Sequence, residues 1–202
     1  MSASRFPCLP HTPELEIRVV SSEQDLIKSF LVRAIVYMHE QSCPYAEEFD
    51  LNDFTATQVL GLVDGEPVLT ARIRYFAGFA KLERLAIREA YRGKGYGHAL
   101  LQFMLRLCEE KGYQEFYLHA QKRLAPFYER YGFQRLGDNF AFSDHEYVEM
   151  YARFPVSPAG LSVVHGPMVL NRPEGAWDRP GPLEVPSREE REEQQLALAE
   201  GA

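Results

Sequence analysis

The stretch Tyr91–Cys108, YRGKGYGHALLQFMLRLC, sets glycines at alternate positions (Gly93, Gly95 and Gly97) beside Arg92 and Lys94, then runs straight into an apolar helical pattern. Just upstream, AKLERLAI (80–87) alternates as a strand does, which predicts Leu82 and Arg84 on one face and Glu83 and Leu85 on the other. A strand, a glycine-rich turn and a helix in that order bring together backbone N–H groups that lack intrahelical partners, and the helix dipole adds partial positive charge there. Glycine tolerates positive φ and carries no Cβ to hold a pyrophosphate off the backbone; Arg92 and Lys94 supply counter-charge. The stretch therefore reads as an anion-binding loop, against the plainer alternative of a turn that lets strand and helix pack closely. A P-loop needs GxxxxGK followed by Ser or Thr, which is absent. The dinucleotide fingerprint GxGxxG fails because His98 stands where its last glycine should be.

Working outward, LEIRVV (15–20) predicts a first strand and SSEQDLIKSFLVRAIVYMHEQ a helix capped by Ser21 or Ser22. Leu26, Phe30 and Arg33, with Ile27, Leu31 and Ala34, fall at helical spacing. The polar, acidic segment CPYAEEFDLNDFTA follows. TQVLGLVDGEPVLTARIRYF then carries two apolar runs around Asp64-Gly65, the dipeptide of a tight hairpin. Downstream of the glycine loop, Leu100, Phe103, Met104, Leu107 and Cys108 share a helical face up to Gly112. QEFYLHA predicts a strand, RLAPFYERYGF a short helix ended by Gly132, and EYVEMYARF a closing strand. The order implies a mixed α/β domain over residues 15–154, after a Pro-punctuated leader at 1–14. Residues 155–202 read as a Pro/Gly-rich, acidic extension, flexible or loosely docked, in which Ser187 with Glu190 predicts a capped terminal helix.

Composition excludes several classes. With 202 residues, 46% of them hydrophobic and 25% charged, the chain can bury one good core. The net charge of −7 argues against general nucleic-acid binding, and more than half of that excess lies beyond Phe154, where four Arg face eight acidic residues. No apolar run approaches a membrane span, and MSASRFPCLPHTP has no signal-peptide core, so a cytoplasmic location is expected. Cys8, Cys43 and Cys108 form neither a CxxC nor a Cys/His cluster, which predicts free thiols and no metal site.

The frame LERLAIREAYRGKGYGHAL resembles the acetyl-CoA site of the GNAT superfamily of N-acetyltransferases. Its signature is Arg or Gln, two residues, Gly, one residue, then Gly or Ala, and it stands here as Arg92 to Gly97. A second feature, a short helix with Tyr before an aromatic-Gly-Phe step, appears as FYERYGF; HEQSCPYAEEFD, HAQKRLAPFYERYGF and YVEM are similar to the ElaA-like branch. The resemblance implies the GNAT fold, a mostly antiparallel sheet of six to seven strands with about four helices. It also implies direct transfer of an acetyl group from acetyl-CoA to a small amine or a lysine, in a ternary complex. On that reading the amides of Arg92, Gly93, Lys94, Gly95, Tyr96 and Gly97 hold the pyrophosphate, and Leu85, Ala86 and Ile87 pair with the pantetheine. Glu83, placed on the face of Leu85, matches the base, and Tyr128 the donor to the departing thiolate. Gln121 and His119 stand near the cofactor, while Glu40, Tyr45 and Glu47, with Glu48, Asp50 and Asp53, suggest an acidic mouth for a cationic amine.

Plainer readings compete: Glu83 as an ion-pair partner of Lys81 or Arg84, Tyr128 as a packing aromatic, and His39 and His119 as hydrogen-bonded structural residues. Cys43 has no assignable base. The branch's terminal HIxM is Tyr147-Val148-Glu149-Met150 here, with His145 two residues earlier, so the role of that histidine does not carry over. A coenzyme A sensor without turnover and an acyl-homoserine lactone synthase are the alternatives, the second disfavoured by the glycine loop. The sequence leaves a homodimer open.

Overall fold

The computed structural model describes residues 14–142, 145–158 and 160–184. The expected helix at Ser187 and most of the leader lie outside them. Seven strands, β1 (Leu15–Val19), β2 (Thr57–Val63), β3 (Glu66–Tyr75), β4 (Ala80–Ile87), β5 (Glu115–Gln121), β6 (Gln134–Phe142) and β7 (His145–Arg153), form one sheet in the order β1-β2-β3-β4-β5-β7-β6. Every neighbouring pair is antiparallel except β4–β5. The helices are α1 (Glu23–Arg33), α2 (Tyr45–Glu48), α3 (Tyr96–Glu110), α4 (Ala125–Glu129) and α5 (Pro167–Leu170). The mixed α/β architecture matches the expectation, and β6 is the strand the sequence pattern did not announce.

Helix α3 covers one face of the sheet. Its Leu100, Leu101, Met104, Leu107 and Cys108 are buried with Leu82, Phe116 and Leu118, as the apolar spacing requires. Helix α1 covers the other face, with the cap and helix where the spacing placed them. Ser22 caps it by accepting from the Asp25 N–H at 3.2 Å, but Ile27 and Leu31 face solvent while Asp25, Ser29, Val32 and Arg33 are buried. The reason is polar pairing: Ser29 Oγ lies 2.6 Å from Thr70 Oγ1, and Asp25 accepts from Arg18. The helix then widens into a π-helical turn over Ala34–Glu40, a distortion frequent at functional sites.

Two irregularities in β4 open the sheet. β4 and β5 pair only at Ala80↔Phe116, Lys81↔Tyr117 and Leu82↔Leu118, and beyond these positions they part. On the opposite edge, Thr70 faces Ala86 while Arg72 faces Glu83, so Arg84 and Leu85 together stand against Ala71. This is a β-bulge, with Arg84 at φ 54°. It reverses the expected alternation: Leu85 and Ile87 pack on the α3 side with Ala80 and Leu82, whereas Ala86 packs on Val32 and Val36 of the α1 side. Glu83 and Leu85 therefore do not share a face.

Residues 155–158 and 160–184 run back across the domain. Trp177 packs against the main core. Glu174 accepts from Lys111 Nζ at 2.7 Å and Thr57 Oγ1 at 3.0 Å, while Arg172 forms a bidentate pair with Glu184 at 2.7 Å through each nitrogen.

Candidate active site

The glycine loop leaves β4 through Arg88–Tyr91 and ends at Gly95, which occupies the N-cap of α3 at φ 85°; Gly93 sits at φ 77°. Neither position would crowd a Cβ, since nothing lies within 4 Å. Glycine is required there for its backbone conformation. Between Arg92, whose N–H donates to Glu89, and His98, whose N–H donates to Gly95, the amides of residues 93–97 donate to none of the described residues. Five N–H groups without a described acceptor thus lie at the positive end of a 15-residue helix, an arrangement suited to an anion. Arg92 itself is committed elsewhere: Nε donates to the Ile87 carbonyl at 2.9 Å, and Nη2 pairs with Glu40.

Beside the parted strands lies an open cavity of about 640 Å³. Leu82, Glu83, Arg84 and Leu85 of β4, His119 and Gln121 of β5, and Tyr128 of α4 line it, with Tyr37, Glu47, Tyr147 and Phe140 around the rim. Tyr37, a contributor the sequence did not reveal, projects from the π-helical turn and donates its hydroxyl to the Leu85 carbonyl at 3.1 Å. Tyr128 is 6% exposed. Burial pushes its hydroxyl up to about 12, so it keeps its proton at neutral pH. Gln121 bridges the sides of the cavity, donating to Gln41 at 3.0 Å and accepting from Arg123 at 3.0 Å.

Glu83 is held by cations. Its carboxylate lies 2.9 Å from Arg72 Nη2, 2.8 Å from Lys81 Nζ and 3.9 Å from Arg74 Nη1. Desolvation pushes its pKa up, but the hydrogen bonds and charges of Lys81 and Arg72 outweigh that and hold it below the usual carboxylate range. A carboxylate so stabilised in its charged form is a poor proton acceptor.

The acidic segment also differs from expectation. Arg33 and Arg72, both fully buried, and the half-buried Arg84 knit it together: Arg33 pairs with Glu48 and Asp53, Arg72 with Asp50 and Asp53, and Arg84 with Glu48 and Asp50. Of the expected mouth residues, Glu47 lines the cavity. Tyr45 is 66% exposed and packs on Phe49, and Glu40 sits at the glycine loop, accepting from the Glu89 N–H at 3.1 Å. Arg72 inside the apolar run VLTARIRYF and Arg33 inside LIKSFLVRAIV were the available signal for this network.

This geometry agrees with the similarities the chain shows. Residues 40–154 match the family model described as an acetyltransferase (GNAT) domain. A Bacillus subtilis protein whose name places it among acetyltransferases is 34% identical over 139 residues, 67% of this chain and 95% of that one. The crystal structure of Escherichia coli ElaA is 27% identical with a TM-score of 0.64, covering 70% of this chain and 100% of that chain. The fold is also shared, at 17% identity and a TM-score of 0.56 over 70% of this chain and 99% of that one, with a PaiA N-acetyltransferase of Thermoplasma acidophilum solved in complex with coenzyme A. A glycine loop at the mouth of a helix, a strand parted from its parallel neighbour and a matching family model over more than half the sequence converge on one assignment: this chain belongs to the GNAT family of acetyltransferases.

Proposed function

We propose that the chain transfers an acetyl group from acetyl-CoA directly to a primary amine within a ternary complex, residues 15–154 forming the catalytic unit. The observation that carries this reading is the parting of β4 from β5 just before the loop of unengaged amides. A pyrophosphate on the amides of residues 93–97 points the pantetheine along Leu85–Ile87, where β4 no longer pairs with β5 and where the Leu85 and Ile87 carbonyls already accept from Tyr37 and Arg92. The thioester then lies at the head of the cavity, beside Tyr128. Direct transfer asks the protein for positioning and proton management, not for a nucleophile of its own. Tyr128 serves as hydrogen-bond donor to the departing sulfur.

The acceptor is defined by the cavity more than by the acidic segment. Because Glu48, Asp50 and Asp53 are neutralised by buried guanidinium groups, they cast little net field into the opening. Arg74 and Lys81 line the cavity alongside Glu83. A charge reversal at Glu47 is accordingly expected to leave the KM for a polyamine within about threefold, under ~0.7 kcal/mol at 1.4 kcal/mol per decade. A tenfold rise would restore the cation-attracting mouth.

Thiol release from acetyl-CoA, measured against polyamines, amino sugars, lysine peptides and arylamines, tests the function. Amine-dependent release that falls about 100-fold in Tyr128→Phe, with acetyl-CoA affinity unchanged, is the expected outcome. Saturable acetyl-CoA binding without release toward any amine would count against the transfer reading.

A further inference from the structure

Glu83 and His119 occupy equivalent places. Each is the residue that follows the last paired position, Leu82↔Leu118, on its strand, so they flank the point where β4 and β5 separate. Both line the cavity and alternate along their strands with Leu82, Leu118 and Ala120 of the main core. Their surroundings differ. Glu83 is held by Lys81 and Arg72, whereas among the described residues His119 makes one hydrogen bond, between Nε2 and the Tyr117 hydroxyl at 2.7 Å.

That hydroxyl has a single proton, and it donates it to Glu149 Oε1. An ionised carboxylate can only accept. Toward His119 the Tyr117 oxygen is therefore an acceptor, Nε2 carries the imidazole proton, and Nδ1 is left with its lone pair. Among the described residues no group donates to Nδ1. Burial, followed by its hydrogen bond to Glu149, raises the Tyr117 hydroxyl, which keeps the relay in this state. The groups around the ring are Lys81 and Glu83 from β4, Tyr117 and Gln121 from β5, Phe140 from β6, and Tyr147 and Glu149 from β7. Burial and the nearby Lys81 ammonium outweigh Glu149 and Glu83 and lower the imidazole pKa from its ordinary 6.5, so the ring is neutral at pH 7.

We infer that His119 is the general base of the transfer, with Nδ1 as the accepting atom and Tyr117 and Glu149 as positioning residues that fix its tautomer. This rests on the transfer reading above. Nδ1 takes one proton from the ammonium form of the acceptor, and the freed lone pair forms the N–C bond. The C–S bond breaks, and the thiolate, hydrogen-bonded by Tyr128, receives the second N–H proton through that hydroxyl. His119 then releases its proton to solvent. The products are the N-acetylated amine, coenzyme A thiol and one proton.

Two measurements test the inference. With whichever amine is turned over, kcat/KM of the wild-type protein should fall as pH drops through a midpoint below 6.5, because the fold favours the neutral, competent ring. His119→Gln, which keeps a donor toward Tyr117 but has no basic nitrogen, should lose about 100-fold in kcat and that acid limb, with acetyl-CoA affinity intact. Tyr117→Phe should move the midpoint upward at nearly constant KM, since Glu149, 3.8 Å from Nε2, is then free to favour the imidazolium. Glu83→Gln should keep the limb. A limb retained in His119→Gln and lost in Glu83→Gln would overturn the assignment. Independently of turnover, nitrogen-15 NMR of the full chain at neutral pH should show His119 as the Nε2–H tautomer; the Nδ1–H tautomer would overturn the inference even if no acceptor amine had been found.

Discussion

Replacing Arg72 with leucine is expected to lower folding stability by about 3–5 kcal/mol, read as a large fall in the urea midpoint. Arg72 is fully buried, and its guanidinium holds Asp50 at 2.7 Å, Asp53 at 3.0 Å and Glu83 at 2.9 Å. Leucine fills much of the volume and leaves three carboxylates short of a partner. The penalty comes from the stranded anions more than from lost attraction, because such a group is costly to keep charged away from water. A triple variant with Asp50→Asn and Glu83→Gln added should recover part of the loss. The exposed pair Arg106–Glu110, with side chains 67% and 35% exposed at 3.9 Å, gives the contrast: Arg106→Ala should change stability by under about 1 kcal/mol. An Arg72→Leu variant that unfolds within 1 kcal/mol of wild type would mean that the carboxylates are neutralised by protonation or water, not by arginine.

The same network separates what could be read in the sequence from what could not. The glycine loop and the Asp64-Gly65 hairpin are encoded in local backbone chemistry, a few residues specifying their own dihedral angles, and both stand where the pattern placed them. Helix α3 is equally legible because its apolar stripe and its terminating glycine lie within one segment. The bulge at Arg84 is different. There Arg84 reaches back to the Glu47 carbonyl at 2.8 Å and to the Glu48 carboxylate at 3.0 Å, partners more than 30 positions away, and no count of alternation along β4 contains that information. The buried face of α1 is not legible from spacing alone for a related reason. Helical spacing ranks positions by hydrophobicity, whereas Ser29 and Arg33 are buried through partners contributed by β3 and the acidic segment. Strand β6 escaped because Gly137-Asp138-Asn139 interrupts its pattern with turn-forming residues, and the register with β7 slips over that interval. In the site, the loop could be read from its own residues, but the state of Glu83 and of His119 is set by cross-strand neighbours.

Gly95→Val is expected to weaken acetyl-CoA binding by at least about 100-fold while leaving most of the fold intact. A valine Cβ at this position meets no atom within 4 Å, so the fault is not collision. The residue sits at φ 85°, where a β-branched side chain is a genuine outlier and even an ordinary L residue pays roughly 1–2 kcal/mol. The chain escapes that strain most cheaply by rotating the peptides on either side, which turns the amides of residues 95–97 away from their common focus. Hydrogen bonds to a charged partner contribute about 1.5–3 kcal/mol each, so losing two costs roughly 3–6 kcal/mol, or two to four decades in Kd. Gly97→Ala separates backbone from bulk: Gly97 has no positive φ, and its Cβ would meet Ile87 Cδ1 at an ordinary 3.4 Å, so the thermal midpoint should hold within about 0.5 kcal/mol of stability. Calorimetric titration with acetyl-CoA decides the matter. Wild-type affinity in Gly95→Val would show that the amides of this loop are not what holds the pyrophosphate, and the cofactor would then have to be bound through the edge of β4 alone.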